Sequence, residues 1–110
     1  MKFKIGKTLV GKNAPNFIVA ELSGNHNGEF KRIKKMVYEA KKAGANAIKL
    51  QTYTPDTITL KSNKNDFKII KNSPWKKKGN LWNLYNSAFT PWDWHNKIFR
   101  LARKLKLEVF

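Results

Sequence analysis

The 110-residue sequence predicts an α/β fold built on parallel strands. Three observations carry that reading. An apolar run near Phe17–Ser23 is followed by an amphipathic segment, 29–43, and then by a second apolar run, 46–53. Strand, helix and strand within about 37 residues make a βαβ unit, which implies parallel pairing through a right-handed crossover. The chain then repeats the helix-to-strand step, ending on Leu107-Glu108-Val109-Phe110.

The elements follow in order. Residues 1–15 read as a short hairpin segment: Phe3 and Ile5 alternate with lysines, Gly6-Lys7 supplies the turn, and Leu9 and Val10 return. The run Phe17–Ser23 is close to continuously apolar, as suits a parallel strand covered by helices. In the segment 29–43, Phe30, Ile33, Met36, Val37, Ala40 and Ala43 fall on one helical face and lysines fill the other. Asn27 or Gly28 is the expected cap, and Gly44 stands where a left-handed residue ends a helix. Residues 54–89 are polar, rich in lysine and interrupted by Pro and Gly. A connection of that length in a compact domain is usually functional or mobile. Within it, Leu81 to about Ala88 forms a short helix. Thr90, Pro91 and Asp93 then read as a capped start to a strong helix, with Trp94, Ile98, Leu101, Ala102 and Leu105 as its apolar stripe. The last four residues open a third strand, so the alternation is expected to be cut off mid-strand, leaving 16–110 as a partial (β/α) domain.

Composition narrows the function classes. With 41% hydrophobic and 13% aromatic residues the chain is not compositionally disordered. It has no cysteine, hence no disulfide framework and no thiolate chemistry. No apolar run approaches the roughly 18 residues that span a bilayer, and no signal-peptide pattern opens the sequence. The expectation is a soluble cytoplasmic protein with no membrane partner. The net charge of +16 raises nucleic acid as a partner. Two details argue against it: only three of the 23 basic residues are Arg, the residue that base readout favours, and the lysines are spread along the chain. A basic nucleic-acid-binding module stands as the alternative of another class.

Strand side chains alternate between faces. Ile18, Ala20 and Leu22 share one face of the first strand, and Ile48 and Leu50 one face of the second. These apolar faces are expected to pack on the helices. Val19, Glu21 and Ser23, and Ala47, Lys49, Gln51 and Tyr53, share the other faces, which turn polar towards the C-terminal ends. That is the pattern of a (β/α) barrel, whose site lies at the C-terminal ends of its strands. A doubly wound sheet is the alternative. Glu21 and Lys49 are candidates for a functional site or a cross-strand ion pair, although a buried pair costs desolvation and often adds no net stability. His26, between two asparagines in a strand-to-helix loop, reads either as a hydrogen-bonded structural residue or as part of the site's rim. His95 reads as structural or exposed, and two histidines on separate elements make no metal site. Trp75, Trp82, Trp92 and Trp94 read as loop and core packing.

The stretches FIVAELSGNHNG (17–28) and ANAIKLQTYTPDTITL (45–60) resemble the N-terminal part of the sialic acid synthase family. With LYNSAFTPWDWH (84–95) they are most similar to its pseudaminic acid synthase branch; the N-acetylneuraminic and legionaminic acid branches remain alternatives. The resemblance implies an aldolase-type TIM (β/α)₈ barrel, of which this chain holds about three strands and two main helices behind the hairpin. It also implies a later antifreeze-like domain, absent here, and a homodimer. The implied reaction condenses phosphoenolpyruvate with an N-acylated amino sugar, a 2,4-diacetamido-2,4,6-trideoxyhexose in the pseudaminic branch. It gives a nine-carbon keto acid and phosphate, and requires a divalent metal, typically Mn²⁺. Carried over residue by residue, Lys49 meets phosphoenolpyruvate, and Glu21 and Gln51 contact the sugar. Asn25, His26 and Tyr53 complete the expected substrate-binding set. The metal ligands and the rest of the phosphate site are expected outside this sequence, and the piece alone is expected to be inactive.

Overall fold

A computed structural model describes all of residues 1–110. Strands β1 (Lys2–Ile5) and β2 (Thr8–Gly11) pair antiparallel around the Gly6-Lys7 turn, with Ile5 opposite Thr8. Gly6 has φ +57°, and a Cβ there would overlap the Glu108 carboxylate. The hairpin therefore sits at the N-terminal edge of the main sheet. That sheet contains β3 (Val19–Glu21), β4 (Ala47–Lys49) and β5 (Glu108–Val109), all parallel and in the order β3-β4-β5. Helix α1 (Phe30–Lys42) joins β3 to β4. Between β4 and β5 lie α2 (Pro55–Ile58), α3 (Leu81–Ala88) and α4 (His95–Lys104).

The core lies on one side of the sheet. Leu22, Ile48 and Leu50 pack with Ile33 and Val37 of α1, Ile98 and Ala102 of α4, and Ala45 and Leu107. This is the face alternation expected from the sequence, with two exceptions: Ala47, on the opposite face, is also fully buried, and Ile18 is not. Ile18 is 54% exposed, because it precedes the strand and contributes backbone instead. Its N–H donates to Asn46 Oδ1 (2.8 Å), and its carbonyl accepts from the N–H groups of Asn46 (2.8 Å) and Ala47 (3.1 Å).

Both long helices end in the same way. After α1, Gly44 (φ +89°) donates to the Lys41 carbonyl and Ala45 to that of Ala40. After α4, Lys106 and Leu107 do likewise with Arg103 and Ala102. Both are Schellman closures, but Lys106 holds φ +57° without being glycine.

Three local expectations are corrected. The cap of α1 is Glu29, with no side-chain cap bond; Asn27 and Gly28 are turn residues with positive φ. Thr90 does not cap α4, which begins at His95 behind a tight turn at Trp92–Trp94. Thr90 is drawn away because it is fully buried and bonded to Gln51, as described below. Both strands are also shorter than the apolar runs, so Gln51 and Tyr53 stand beyond β4 rather than in it.

The other face of the sheet is largely open: Val19, Glu21 and Lys49 are exposed there, and Ala47 alone is buried. Only 13 of 110 residues are buried. The radius of gyration is 16.8 Å, against about 13 Å for a compact domain of this length. All-parallel sheets are normally covered on both faces. No helix is long and apolar enough to cross a membrane.

Candidate functional site

The loops that leave β3 and β4 at their C-terminal ends meet α2 and α3 around an open cleft of about 650 Å³. The β3 loop turns sharply: Asn25 N–H reaches back to the Leu22 carbonyl, and Ser23 and Asn27 hold positive φ. These turns present Ser23, Asn25 and Asn27 to the cleft. Gly24 lets the loop lie against the end of α3, since a Cβ there would come within 2.9 Å of both Cβ and O of Ala88.

Gln51 is fixed by its backbone. Its N–H donates to Thr90 Oγ1 (3.2 Å) and its carbonyl accepts from Thr90 N–H (2.9 Å). Thr90 thus acts as one rung of a strand beside the end of β4, which explains its burial. The Gln51 side chain accepts from Tyr53 Oη through Oε1 (3.1 Å). The Tyr53 ring meets Tyr85 of α3 edge-on, with centroids 5.8 Å apart. Burial raises the Tyr53 phenol above its ordinary pKa, and Tyr85 adds to the shift. It therefore stays a neutral donor and acceptor. Ile58, Leu84, Trp75 and Lys78 complete the cleft from the long connection.

Glu21 and Lys49 lie outside this cleft, on the open face. They are register partners on β3 and β4, and their side chains form an ion pair of 2.9 Å. The second Glu21 oxygen accepts from Ser23 N–H (3.2 Å), which links the pair to the β3 loop. Lys49 is 53% and Glu21 38% exposed. The desolvation cost weighed from the sequence does not arise on this open face, where such a pair contributes about 1 kcal/mol at most.

His26 does not reach the cleft. It is fully buried, its Nδ1 accepts from Gly28 N–H (3.0 Å), and its ring stands edge-to-face with Trp94 at 5.3 Å. Nε2 carries the ring proton in this arrangement and has no partner. Desolvation holds the imidazole below its ordinary pKa. His95 is structural: Nε2 meets Thr52 Oγ1 (2.6 Å) and Nδ1 the Pro91 carbonyl (3.2 Å).

Of the six candidate residues, the cleft brings together Asn25, Gln51 and Tyr53. Glu21 and Lys49 pair beside it, and His26 turns into the core. Trp75, Lys78 and Tyr85 were not read as site residues from the sequence. Their only signal was the length of the 54–89 connection.

The cleft carries the mixed lining that ligand pockets have. Amide and hydroxyl side chains (Ser23, Asn25, Asn27, Gln51) share its lining with the aromatic rings of Tyr53, Trp75 and Tyr85. The Mn²⁺ implied by the resemblance finds no fit among these residues. No three His, Cys, Asp or Glu side chains converge, and both Glu21 oxygens are engaged by Lys49 and Ser23.

Comparison with known proteins bears on the same segments. The NeuB family model matches residues 36–110. The chain is 55% identical over 87 residues to the pseudaminic acid synthase of Campylobacter jejuni, covering 79% of this chain and 25% of that protein. It is 48% identical over 96 residues to the pseudaminic acid synthase of Helicobacter pylori, covering 87% of this chain and 28% of that one. It thus spans about a quarter of the length of the curated relatives it matches. Among solved structures, the N-acetylneuraminic acid synthetase of Leptospira borgpetersenii, in complex with citrate, aligns with the whole chain at a TM-score of 0.74 and 26% identity. The alignment covers 33% of that structure.

Proposed function

This chain belongs to the NeuB family, and from that premise we propose that it forms part of a nonulosonic acid synthase, a pseudaminic acid synthase in particular. The reaction joins phosphoenolpyruvate to a 2,4-diacetamido-2,4,6-trideoxyhexose and releases phosphate. The observation that carries the reading is the juxtaposition of the Glu21–Lys49 pair, linked through Ser23, with a polar cleft at the same C-terminal edge of a parallel sheet. That edge is where parallel α/β folds carry their sites. The sequential order β3-β4-β5 and the single covered face suit the first three strands of an eight-stranded barrel, with the open face turned inward.

On this reading Lys49 supplies the cation for the phosphate and carboxylate of phosphoenolpyruvate, which charge-assisted hydrogen bonds favour. Lys78, on the cleft wall, is placed to add a second. Glu21 accepts from a sugar hydroxyl, and Gln51 and Asn25 donate to and accept from others. Gln51 is well suited to this, because Thr90 and Tyr53 lock its backbone and side chain. Their joint effect is to hold the open-chain sugar with its aldehyde towards the enol carbon, and positioning of that kind supplies much of a rate enhancement. Carbon–carbon bond formation leaves an oxocarbenium carbon; water adds to it and phosphate departs by C–O cleavage. We place the metal site, the rest of the phosphate site and the dimer contacts outside residues 1–110, and no step here runs through the metal.

The test is a chimera in which residues 1–110 replace the matching quarter of the Campylobacter synthase. It is expected to release phosphate from phosphoenolpyruvate only with the diacetamido sugar present. Equal turnover with N-acetylmannosamine would move the assignment to the sialic acid branch. Turnover that ignores acylated amino sugars altogether would end the reading.

A further inference from the structure

The wall of the cleft that comes from the long connection is built, not draped. Lys68 and Asn80 form a β-bridge, and Ile69 N–H donates to the Gly79 carbonyl (3.1 Å), so the loop 68–80 is clasped at its base. Asn80 is itself held by Asn63 (2.8 Å) and caps α3 through Asn83 N–H (2.9 Å). At the tip, Trp75 N–H donates to Ser73 Oγ (3.2 Å), and Lys78 N–H donates to the Trp75 carbonyl (2.9 Å). The Trp82 indole N–H donates to Asp56 (2.8 Å), tying α3 to the helix that carries Ile58. These bonds fix the backbone that presents Trp75 and Ile58, which nevertheless stay 57% and 47% exposed. They share the cleft with Leu84 and with the polar side chains of Ser23, Asn25 and Gln51.

A rigid indole offers large apolar area at little conformational cost. A ligand that uses both kinds of lining needs hydroxyls for the polar groups and methyl groups for the apolar ones. Acetamido groups supply such methyls, and a plain hexose does not. Resting on the proposed function above, we infer that Trp75, Ile58 and Leu84 form the subsite for the acetamido methyl groups of the amino sugar. This wall sets the preference for a doubly acylated deoxy sugar over a singly acylated one.

The test is sugar affinity of the whole 110-residue chain, measured by saturation-transfer NMR with 2,4-diacetamido-2,4,6-trideoxyhexose and N-acetylmannosamine. The diacetamido sugar is expected to bind about tenfold more tightly, the discrimination that one extra apolar group earns in a fitted pocket. Its acetyl methyls receive the strongest saturation. Trp75→Ala removes the difference and Trp75→Phe keeps most of it. Trp92→Ala, at another exposed tryptophan outside the cleft, leaves it unchanged. An unchanged ratio in Trp75→Ala, or equal binding of both sugars by the unaltered chain, overturns the inference. If that happens while Gln51→Ala weakens both sugars, the subsite fails and the proposed function stands. If the unaltered chain binds neither sugar at millimolar concentration, the inference fails, and the chimera decides the proposed function separately.

Discussion

The two faces of the three-stranded sheet are made from the same short strands but do opposite things. On the helix side Ile48, Leu50 and Leu22 are between 0% and 5% exposed. On the other side Ala47 is buried between its strand neighbours, but Val19 is 41% exposed, and Glu21 and Lys49 meet in solvent-accessible contact. Alternation along a strand lets one face be chosen for packing and the next for chemistry without compromise between them. The first face holds this chain together; the second is free to carry charge at little cost in stability.

The largest expected effect breaks that contrast if it is wrong. Ile48→Ala removes a fully buried side chain from the one core, and should cost about 2–5 kcal/mol by urea denaturation. Val19→Ala, one register step away on the neighbouring strand and on the opposite face, should change stability by about 0.5 kcal/mol. Similar losses from both would mean that the second face is also packed.

Next comes the seam between the cleft and the core. Gly24→Val drives a side chain into Ala88, and should destabilise by about 1–3 kcal/mol. It should also separate α3 from the β3 loop, seen as chemical-shift changes at Tyr85 and Ser87. A smaller effect concerns His26. Its folded pKa is depressed by burial, so the unfolded chain takes up a proton first as pH falls. Stability should therefore be complete above the ordinary histidine value of about 6.5 and decline below it. Thermal melts at pH 7.5 and 5.5 check this, and the decline should persist in His95→Gln. A melting temperature flat over that interval would show that His26 is not desolvated.

Much of this was legible in the sequence. The hydrophobic stripe of α4, from Trp94 to Leu105, and the β3–α1–β4 unit follow from periodicity, because burial on one side is what periodicity records. The polar turn of the second face was legible for the same reason. What escaped were long-range partners. Thr90 has every mark of a helix cap, yet the Gln51 backbone, 39 positions earlier, claims its hydroxyl. In the sequence His26 reads either as a structural residue or as part of the rim, and its neighbours Asn25 and Asn27 do line the cleft. Only the turn geometry, with positive φ at Ser23 and Asn27, sends the imidazole the other way towards Trp94. Trp75 and Lys78 enter the cleft through a clasp between Lys68 and Asn80 that no local pattern announces. Site membership here depends on how a long connection folds back, and periodicity is silent on that.

The most direct test of the division between the faces is one substitution read in two ways. Glu21→Gln keeps shape and removes charge. In urea the altered chain should lie within about 1 kcal/mol of the original, as an exposed pair implies. In the chimera with the Campylobacter synthase, phosphate release from phosphoenolpyruvate with the diacetamido sugar should fall by about 100-fold or more, the usual scale for losing a group that orients the reacting partner. Unchanged phosphate release together with a loss of several kcal/mol would contradict the account and make Glu21 a structural residue.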